Sequence, residues 1–513
     1  MNYADLFRVT LPESALEIAA VIVLVVDLAF LRKATLQVRA AVAANLGVLG
    51  CLAGLGALFY VGGTGLAAAN GDVLLAVGGS ASVAQVGILA LTALTLLLLN
   101  ESEFTRHVGE FVAVVLMAAT GGLVIAAAQD LLVIFIGLEL LSLGLYVLTA
   151  FAKRSAKSAE AAIKYYLFGG MSAAFLLFGF SYLYGISGST NLHRMMRGLY
   201  SGNAVHAAPL FYVALVMVAA GLGFKIAAAP FHLWAPDAYE GAPAPGAAFI
   251  ASVSKVASFA LLISIGTAAW HVFDGMQGRV VVIASNHPQP MPMYLGFRSA
   301  WMELLMVLAA VSMVLGNLAA LAQTSVRRLL AYSAIAHAGY VLLGLAFFSY
   351  SSRSAEAILY YVLTYGLTTI GAFGAVGVVE RATGSDRMEA FLGLHKRNPV
   401  LAAVMLVLFL SLAGIPPLVG FWAKFNLFAA VLQVYPVGAG LGLVILAVAM
   451  SAVSLYYYVQ VLKRVYVLPA ADSSRIPAHP VTTLVLLLIT GAVVVLGCLP
   501  ALLQGWIAGF YGN

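Results

Sequence analysis

The chain has 513 residues, 63% of them hydrophobic and 9% charged, with a mean hydropathy of +1.02 and a net charge of +6. Soluble domains carry about a quarter charged residues, so this balance excludes an ordinary soluble enzyme, and the apolar excess excludes a disordered chain. The basic residues are scattered without a dense Lys/Arg cluster, which argues against nucleic acid as a partner despite the pI of 9.1.

A membrane-spanning helix needs about 20 mostly apolar residues. Such runs fall near 12–31, 37–61, 80–100, 109–127, 130–151, 160–186, 208–229, 246–270, 300–322, 328–348, 355–379, 400–433, 439–462 and 481–503, and predict an all-α polytopic membrane protein of about 14 spans. The first run follows Asp5, Arg8 and Glu13 rather than a basic start, so it reads as a retained helix and not a cleaved signal. Glu17 and Asp27, near its ends, are expected to face headgroups or a neighbouring subunit. Asp130 begins its span and reads as a helix N-cap. Cys51 and Cys498 lie in separate apolar runs without metal-ligand spacing, and are expected to be buried structural thiols.

The odd-numbered connections hold 16 Lys and Arg, against 6 in the N-terminus and even connections. That bias places the odd connections in the cytoplasm and both termini on the other side; the Ala/Gly-rich chain suggests a bacterium, so the termini are expected on the periplasmic side of its inner membrane. The remaining basic residues, Lys164, Lys225, Lys255 and Lys424, fall inside spans, and all are lysine. An ionisable group at the bilayer centre costs roughly 2.5–3.5 kcal/mol, so such groups must pair or meet water. Arginine keeps its proton in a protein, whereas a desolvated lysine gives it up and a nearby carboxylate makes it hold on. Four buried lysines and a mid-span Glu139 therefore suit proton uptake and release; purely structural ion pairs are the bland reading. Lys164, four residues after Glu160, also fits a surface pair. His337 is a candidate relay or a satisfied core histidine, and His232 is expected to close a broken helix by hydrogen bonding.

The seventh and twelfth runs are interrupted, by Pro230 and Pro236 in one and by Gly414, Pro416 and Pro417 in the other. Proline frees backbone carbonyls at membrane depth, where they are tolerated only inside protein or beside water. Spans 4–8 (108–271) and 9–13 (300–465) each carry the break in their fourth member. An odd number per group predicts two inverted five-helix repeats, preceded by an N-terminal three-helix segment (1–107) and followed by a C-terminal segment (466–513). Between the repeats, 272–299 is expected to be an extended non-cytoplasmic loop, with Val280–Ile283 and the His287–Pro292 stretch forming a short hairpin or a partner contact. No dinucleotide fingerprint, P-loop, zinc-protease or nucleophile-elbow motif occurs, and no metal site is expected.

Gly223–Pro245, with its Phe-Lys-Ile-Ala-Ala-Ala-Pro-Phe-His-Leu-Trp-Ala-Pro-Asp core, resembles the core motif of the antiporter-like subunits of proton-pumping NADH:quinone oxidoreductase, respiratory complex I. Gly137–Ser142, Arg327–Tyr340 and Ala413–Lys424 are similar to further motifs of that family, so the resemblance covers nearly the whole chain. Tyr184–Leu192, a lysine at 424 rather than a glutamate, and a chain that stops soon after its last span resemble the N type (subunit 2 of organelles) over the M and L types. The resemblance implies that Glu139 and Lys225 pair in a first half-channel. It further implies that Lys255 links through the centre with His337 as relay, that Lys424 serves the second half, and that Lys164 is an entry-side auxiliary. It implies no cofactor on this chain. NADH, FMN, iron–sulfur clusters and quinone would belong to other subunits, and the M, L, K, J and A types would be partners within the bilayer. A multi-subunit Na+/H+ antiporter subunit shares the core motifs and is the rival reading; a structural membrane-arm subunit is the third.

Overall fold

The computed structural model describes residues 3–63, 74–101, 104–200, 208–283, 293–348, 352–470 and 474–511. Among these the regular structure is helical, with only isolated β-bridges. The elements are α1 (Tyr3–Val9), α2 (Leu11–Val25), α3 (Leu36–Gly62), α4 (Gly79–Leu97), α5 (Val108–Ala127), α6 (Leu131–Thr149), α7 (Ala156–Ser187), α8 (Leu192–Tyr200), α9 (Ala208–Lys225) and α10 (Trp234–Gly241). They continue as α11 (Ala244–Ile283), α12 (Met293–Leu321), α13 (Val326–Ala346), α14 (Ser352–Thr383), α15 (Leu394–Arg397), α16 (Pro399–Ala413), α17 (Val419–Val434), α18 (Ala439–Tyr466), α19 (Pro480–Cys498) and α20 (Pro500–Gly509). Eleven stretches are long and apolar enough to cross a membrane, and α16, α17 and Pro209–Lys225 are shorter apolar helices. Each of the fourteen apolar runs coincides with one or two of these elements; the first run is α2 extended by a π-helical turn at Val26–Phe30.

Local chemistry sets the helix ends. Asp130 caps α6 by accepting from the Leu132 N–H at 2.9 Å, and Thr190 holds its other oxygen at 2.6 Å. Thr35, Ser155, Ser325 and Asn398 cap α3, α7, α13 and α16 in the same way. With the backbone satisfied, position is decided by apolar burial. The apolar windows of α11 and α13 are 94% buried and that of α14 is 83% buried, whereas α18 is 22% buried. The first three therefore form the centre and α18 lies outside. α11 packs along α14 and so joins the helices of the first half to those of the second.

Three expectations change here. Asp27 does not face headgroups: it is buried and takes the Arg39 guanidinium through two hydrogen bonds of 2.7 Å, while the Gly109 N–H donates to it at 3.3 Å. A Cβ at position 109 would stand 2.6 Å from Asp27, so only glycine lets α5 approach this carboxylate. A paired carboxylate loses its need for a polar exterior, which is why its place near the span end misleads. Cys51 is buried, but Cys498, the last residue of α19, is exposed. The stretch read as an extended loop from 272 begins as helix instead, because α11 continues to Ile283 and α12 starts at Met293. Val280–Ile283 form the last turn of α11 rather than a hairpin strand, and residues 284–292, with the whole His287–Pro292 stretch and any partner contact there, lie outside the described residues.

Candidate proton-carrying site

α9 ends at Lys225, and the chain runs without regular helix from Ile226 to Leu233 before α10. The break is held by specific partners. Trp234 Nε1 donates to the Phe224 carbonyl at 3.0 Å, and its ring stacks on Tyr165 with centroids 4.1 Å apart. The Ala229 N–H donates to Ser312 Oγ of α12 at 2.9 Å. The freed Ile226 carbonyl accepts from the Lys255 ammonium, which reaches it from α11. These bonds meet the requirement that buried backbone polar groups find partners. Within the break His232 hydrogen-bonds to the Pro230 backbone while its Nδ1 is buried without a partner, and Trp234 adds a second closing bond to Phe224.

Lys225 is 8% exposed and points toward α6. Its Nζ donates to Ser142 Oγ at 2.5 Å and stands 3.9 Å from Glu139 Oε1, so the carboxylate is the second neighbour and the hydroxyl the first. Ser142 is one helical turn beyond Glu139 and presents the same face. Ser142 in turn donates to the Leu138 carbonyl at 2.5 Å. The Glu139 side chain is 30% exposed, on a stripe of α6 with Leu132, Ile136, Leu143 and Val147, all of which are exposed.

The second break covers Gly414–Leu418, between α16 and α17. Gly414 adopts φ 88° and closes α16 with its N–H on the Leu410 carbonyl. Lys424, buried on α17, reaches back across the break to the Ala413 carbonyl at 2.9 Å and to Ser451 Oγ of α18 at 2.7 Å. Its ammonium also stands 5.3 Å from the centre of the Tyr340 ring. That ring packs edge-on against His337, whose Nδ1 meets the Tyr361 hydroxyl at 2.7 Å and whose Nε2 is buried without a partner.

The structure thus brings Glu139 to Lys225, Lys255 to the first break, and His337 with Lys424 around Tyr340. Lys164 is elsewhere. Its side chain is 43% exposed and pairs with Glu160 at 2.7 Å and Asp237 at 2.9 Å. Arg328 joins Asp237 and Glu240, and Lys157 joins Glu240, so α7, α10 and α13 share one charge cluster. Ser142, Ser312, Ser451, Tyr340 and Tyr361 are the partners that sequence reasoning missed. Only Ser142 had a signal, its i,i+3 spacing from Glu139; the others come from helices far away in sequence. Among the described residues no group of three or more His, Cys, Asp and Glu is placed to hold a metal.

Buried lysines on carbonyls and hydroxyls beside two broken helices define a class of membrane protein built around ionisable groups buried among its helices. The profile of the NADH:quinone oxidoreductase/Mrp antiporter transmembrane family matches residues 128–286 and 289–455, and the chain belongs to that family. It is 46% identical to NADH-quinone oxidoreductase subunit N 2 of Acidobacterium capsulatum over 99% of both chains, and 37% identical to subunit N of Desulfovibrio desulfuricans over 98% and 96%. Its fold is similar to a chain of respiratory complex I from Thermus thermophilus, with 32% identity, a TM-score of 0.75 and 96% and 98% of the chains covered. A chain of the Mrp complex from Dietzia, at 21% identity, TM-score 0.74 and 97% and 96% coverage, shares the fold.

Proposed function

We propose that this chain is the N-type membrane-arm subunit of an NADH:quinone oxidoreductase, and that it carries protons through Glu139, Lys225, Lys255, His337 and Lys424. The observation that carries the reading is the Glu139–Ser142–Lys225 contact at the first break, in a chain whose full length matches N-type subunits. An ammonium and a carboxylate 3.9 Å apart attract by about 4 kcal/mol at an effective dielectric of 20. Moving one proton against the membrane potential costs about 2.3 kcal/mol per 100 mV. Drawing Glu139 away from Lys225 costs about that attraction, work that must come from elsewhere in the complex, and leaves an ammonium that gives up its proton more readily; returning the carboxylate recharges the lysine. Ser142 keeps the ammonium placed while the carboxylate moves. Lys164 sits within the charge cluster of α7, α10 and α13, which suits the entry-side role better than the central line.

In this reading the redox groups and quinone belong to other subunits, and the flanking partners are the M, L, K, J and A types. In the same reading the termini face the periplasm, an orientation the Lys/Arg count supports. Neighbour pairs of the first group recur in the second: α5 with α6 as α12 with α13, α5 with α11 as α12 with α18, and α7 with α9 as α14 with α16 and α17. That recurrence supports two inverted repeats within 14 spans.

The test is NADH-driven, quinone-dependent proton uptake in inverted vesicles, comparing wild type with Lys225→Met after blotting for assembly. Joint loss of coupled quinone reduction and uptake is the expected result. Unchanged NADH-linked uptake with loss of sodium-driven proton exchange would replace this reading with the antiporter one. No change in either would leave the lysines structural.

A further inference from the structure

Lys225 and Lys424 are both buried, yet what faces each ammonium differs. Lys225 has the Glu139 carboxylate 3.9 Å away, besides the ring of its sequence neighbour Phe224, whose centre is 5.7 Å off. Lys424 forms no ion pair among the described residues. Its Nζ meets a carbonyl, a hydroxyl and, 5.3 Å from the ring centre, the face of Tyr340. An ammonium within about 6 Å of the centre of a tyrosine face is attracted by the ring quadrupole, and more strongly where water is excluded. Lys424 and Tyr340 are both buried, so water competes little for the ammonium.

The ring is held at its hydroxyl and at its edges. Asn317 Nδ2 of α12 donates to the Tyr340 hydroxyl at 3.1 Å. The same Nδ2 donates to the Met313 carbonyl at 2.7 Å, which fixes the way the amide faces, and Asn317 Oδ1 accepts from the Tyr457 hydroxyl of α18 at 3.1 Å. His337 and Phe428 pack edge-on against the ring, with centres 5.7 and 6.1 Å from it. α12 and α13 come close enough for the Asn317 contact because a glycine stands beside each residue of the pair. A Cβ at Gly316 would lie 2.5 Å from the Ala336 nitrogen, and one at Gly339 would lie 2.8 Å from Met313. An asparagine buried in an apolar interior is costly unless it is bonded, and this one is bonded to the ring that faces Lys424.

We propose that the Tyr340 ring stands in for a carboxylate as the group that holds the Lys424 ammonium, and that Asn317 is the positioning residue that keeps the ring there. The inference rests on the proton-carrying reading above. A ring face differs from a carboxylate in what it does with the proton. Glu139 is itself a proton acceptor beside Lys225, whereas the face of Tyr340 attracts the charge and binds no proton. The charged state of Lys424 is thus supported by a group that does not compete for its proton. The hydroxyl of Tyr340, which could compete, is turned to Asn317 instead.

The test uses the assembled complex in inverted vesicles, read as proton uptake per NADH oxidised, with assembly checked by blotting. Tyr340 is replaced by phenylalanine and then by its mono-, di- and trifluorinated forms through stop-codon suppression. These rings have nearly one shape, while each fluorine weakens the negative face. Uptake is expected to fall in steps, by roughly fivefold from phenylalanine to the trifluorinated ring. A flat response, with uptake still lost in Lys424→Met, overturns the role of the ring. Asn317→Leu is expected to lower uptake by roughly twofold in the wild-type chain and to cost nothing further in Tyr340→Phe, where the hydroxyl it holds is gone. An equal loss in both chains would mean that Asn317 acts through Met313 or Tyr457, and overturns its positioning role. If Lys424→Met itself pumps like wild type, the proton-carrying reading of the second half fails and the inference falls with it.

Discussion

The two broken helices solve the same problem with opposite polarity. In the first, the lysine on the helix before the break points away to Ser142 and Glu139, and a separate lysine, Lys255 of α11, takes the freed Ile226 carbonyl. In the second, a single lysine after the break does both jobs, lying on the Ala413 carbonyl and against Ser451. The first break divides the side-chain contact and the backbone contact between two lysines; the second combines them in one. A lysine that also satisfies a backbone carbonyl cannot lose its proton without weakening that bond, so under the proposed function release from Lys424 would be coupled to the backbone of its own break, whereas release from Lys225 would not.

The sharpest way to break this comparison is to remove each carbonyl-bound ammonium. Lys255→Met leaves the buried Ile226 carbonyl unpartnered, at a cost of about 1–3 kcal/mol. Lys424→Met leaves Ser451 Oγ 3.5 Å from the Ala413 carbonyl, close enough to replace the lost donor, and should cost less. Heat-induced release of the subunit from the complex on native gels is expected to come at a lower temperature for Lys255→Met than for Lys424→Met. Equal temperatures would mean that the two carbonyls depend on their lysines alike.

Backbone conformation offers a second contrast between the two breaks. Gly414 has φ 88°, and a Cβ there would stand 3.0 Å from Lys424 Cδ, so Gly414→Ala should destabilise by about 1–2 kcal/mol. In the first break a non-glycine residue, Ala227, already holds φ 55°. Ala227→Gly relieves that strain and raises unfolded-chain entropy, two effects within about 1 kcal/mol of each other. The expected result on the same gels is a clear fall for Gly414→Ala and a shift near zero for Ala227→Gly. A large loss for Ala227→Gly would show that the alanine methyl packs as part of the break.

These breaks also mark where sequence reading succeeds and fails. Pro230, Pro416 and Pro417 and the apolar runs are local facts, and a bilayer demands long apolar helices, so both spans and interruptions are legible from composition. Glu139, Lys225, Lys255 and Lys424 stand out because charge is so rare in such a chain. What receives them does not stand out. Ser312 and Ser451 are ordinary residues on helices that packing alone brings to the breaks, and their role follows from tertiary geometry. Asp27 shows the converse, a charge whose span-end position suggests exposure until a partner twelve residues away buries it. Lys164 was legible only as an alternative, because an i,i+4 pair with Glu160 and a membrane-depth charge look the same until Asp237 is placed beside it.

The charge cluster gives the smallest effect and the last contrast. α10, the far half of the first break, is tied by Asp237 and Glu240 to Arg328 of α13 and to lysines of α7, whereas α17, the far half of the second, makes no ion pair among the described residues. Half-exposed pairs such as those of Arg328 contribute roughly 0.2–1 kcal/mol each and are screened by salt. Raising ionic strength from about 0.1 to about 1 M shortens the screening length from roughly 10 to roughly 3 Å. Deuterium uptake by amides of α10 should then rise by up to about fivefold, the equivalent of 1 kcal/mol, while α17 stays unchanged. Arg328→Gln should raise uptake in α10 at low salt and remove most of its further response. If salt loosened both half-helices equally, the cluster would have no special hold on α10, and the first break would be as free to move as the second.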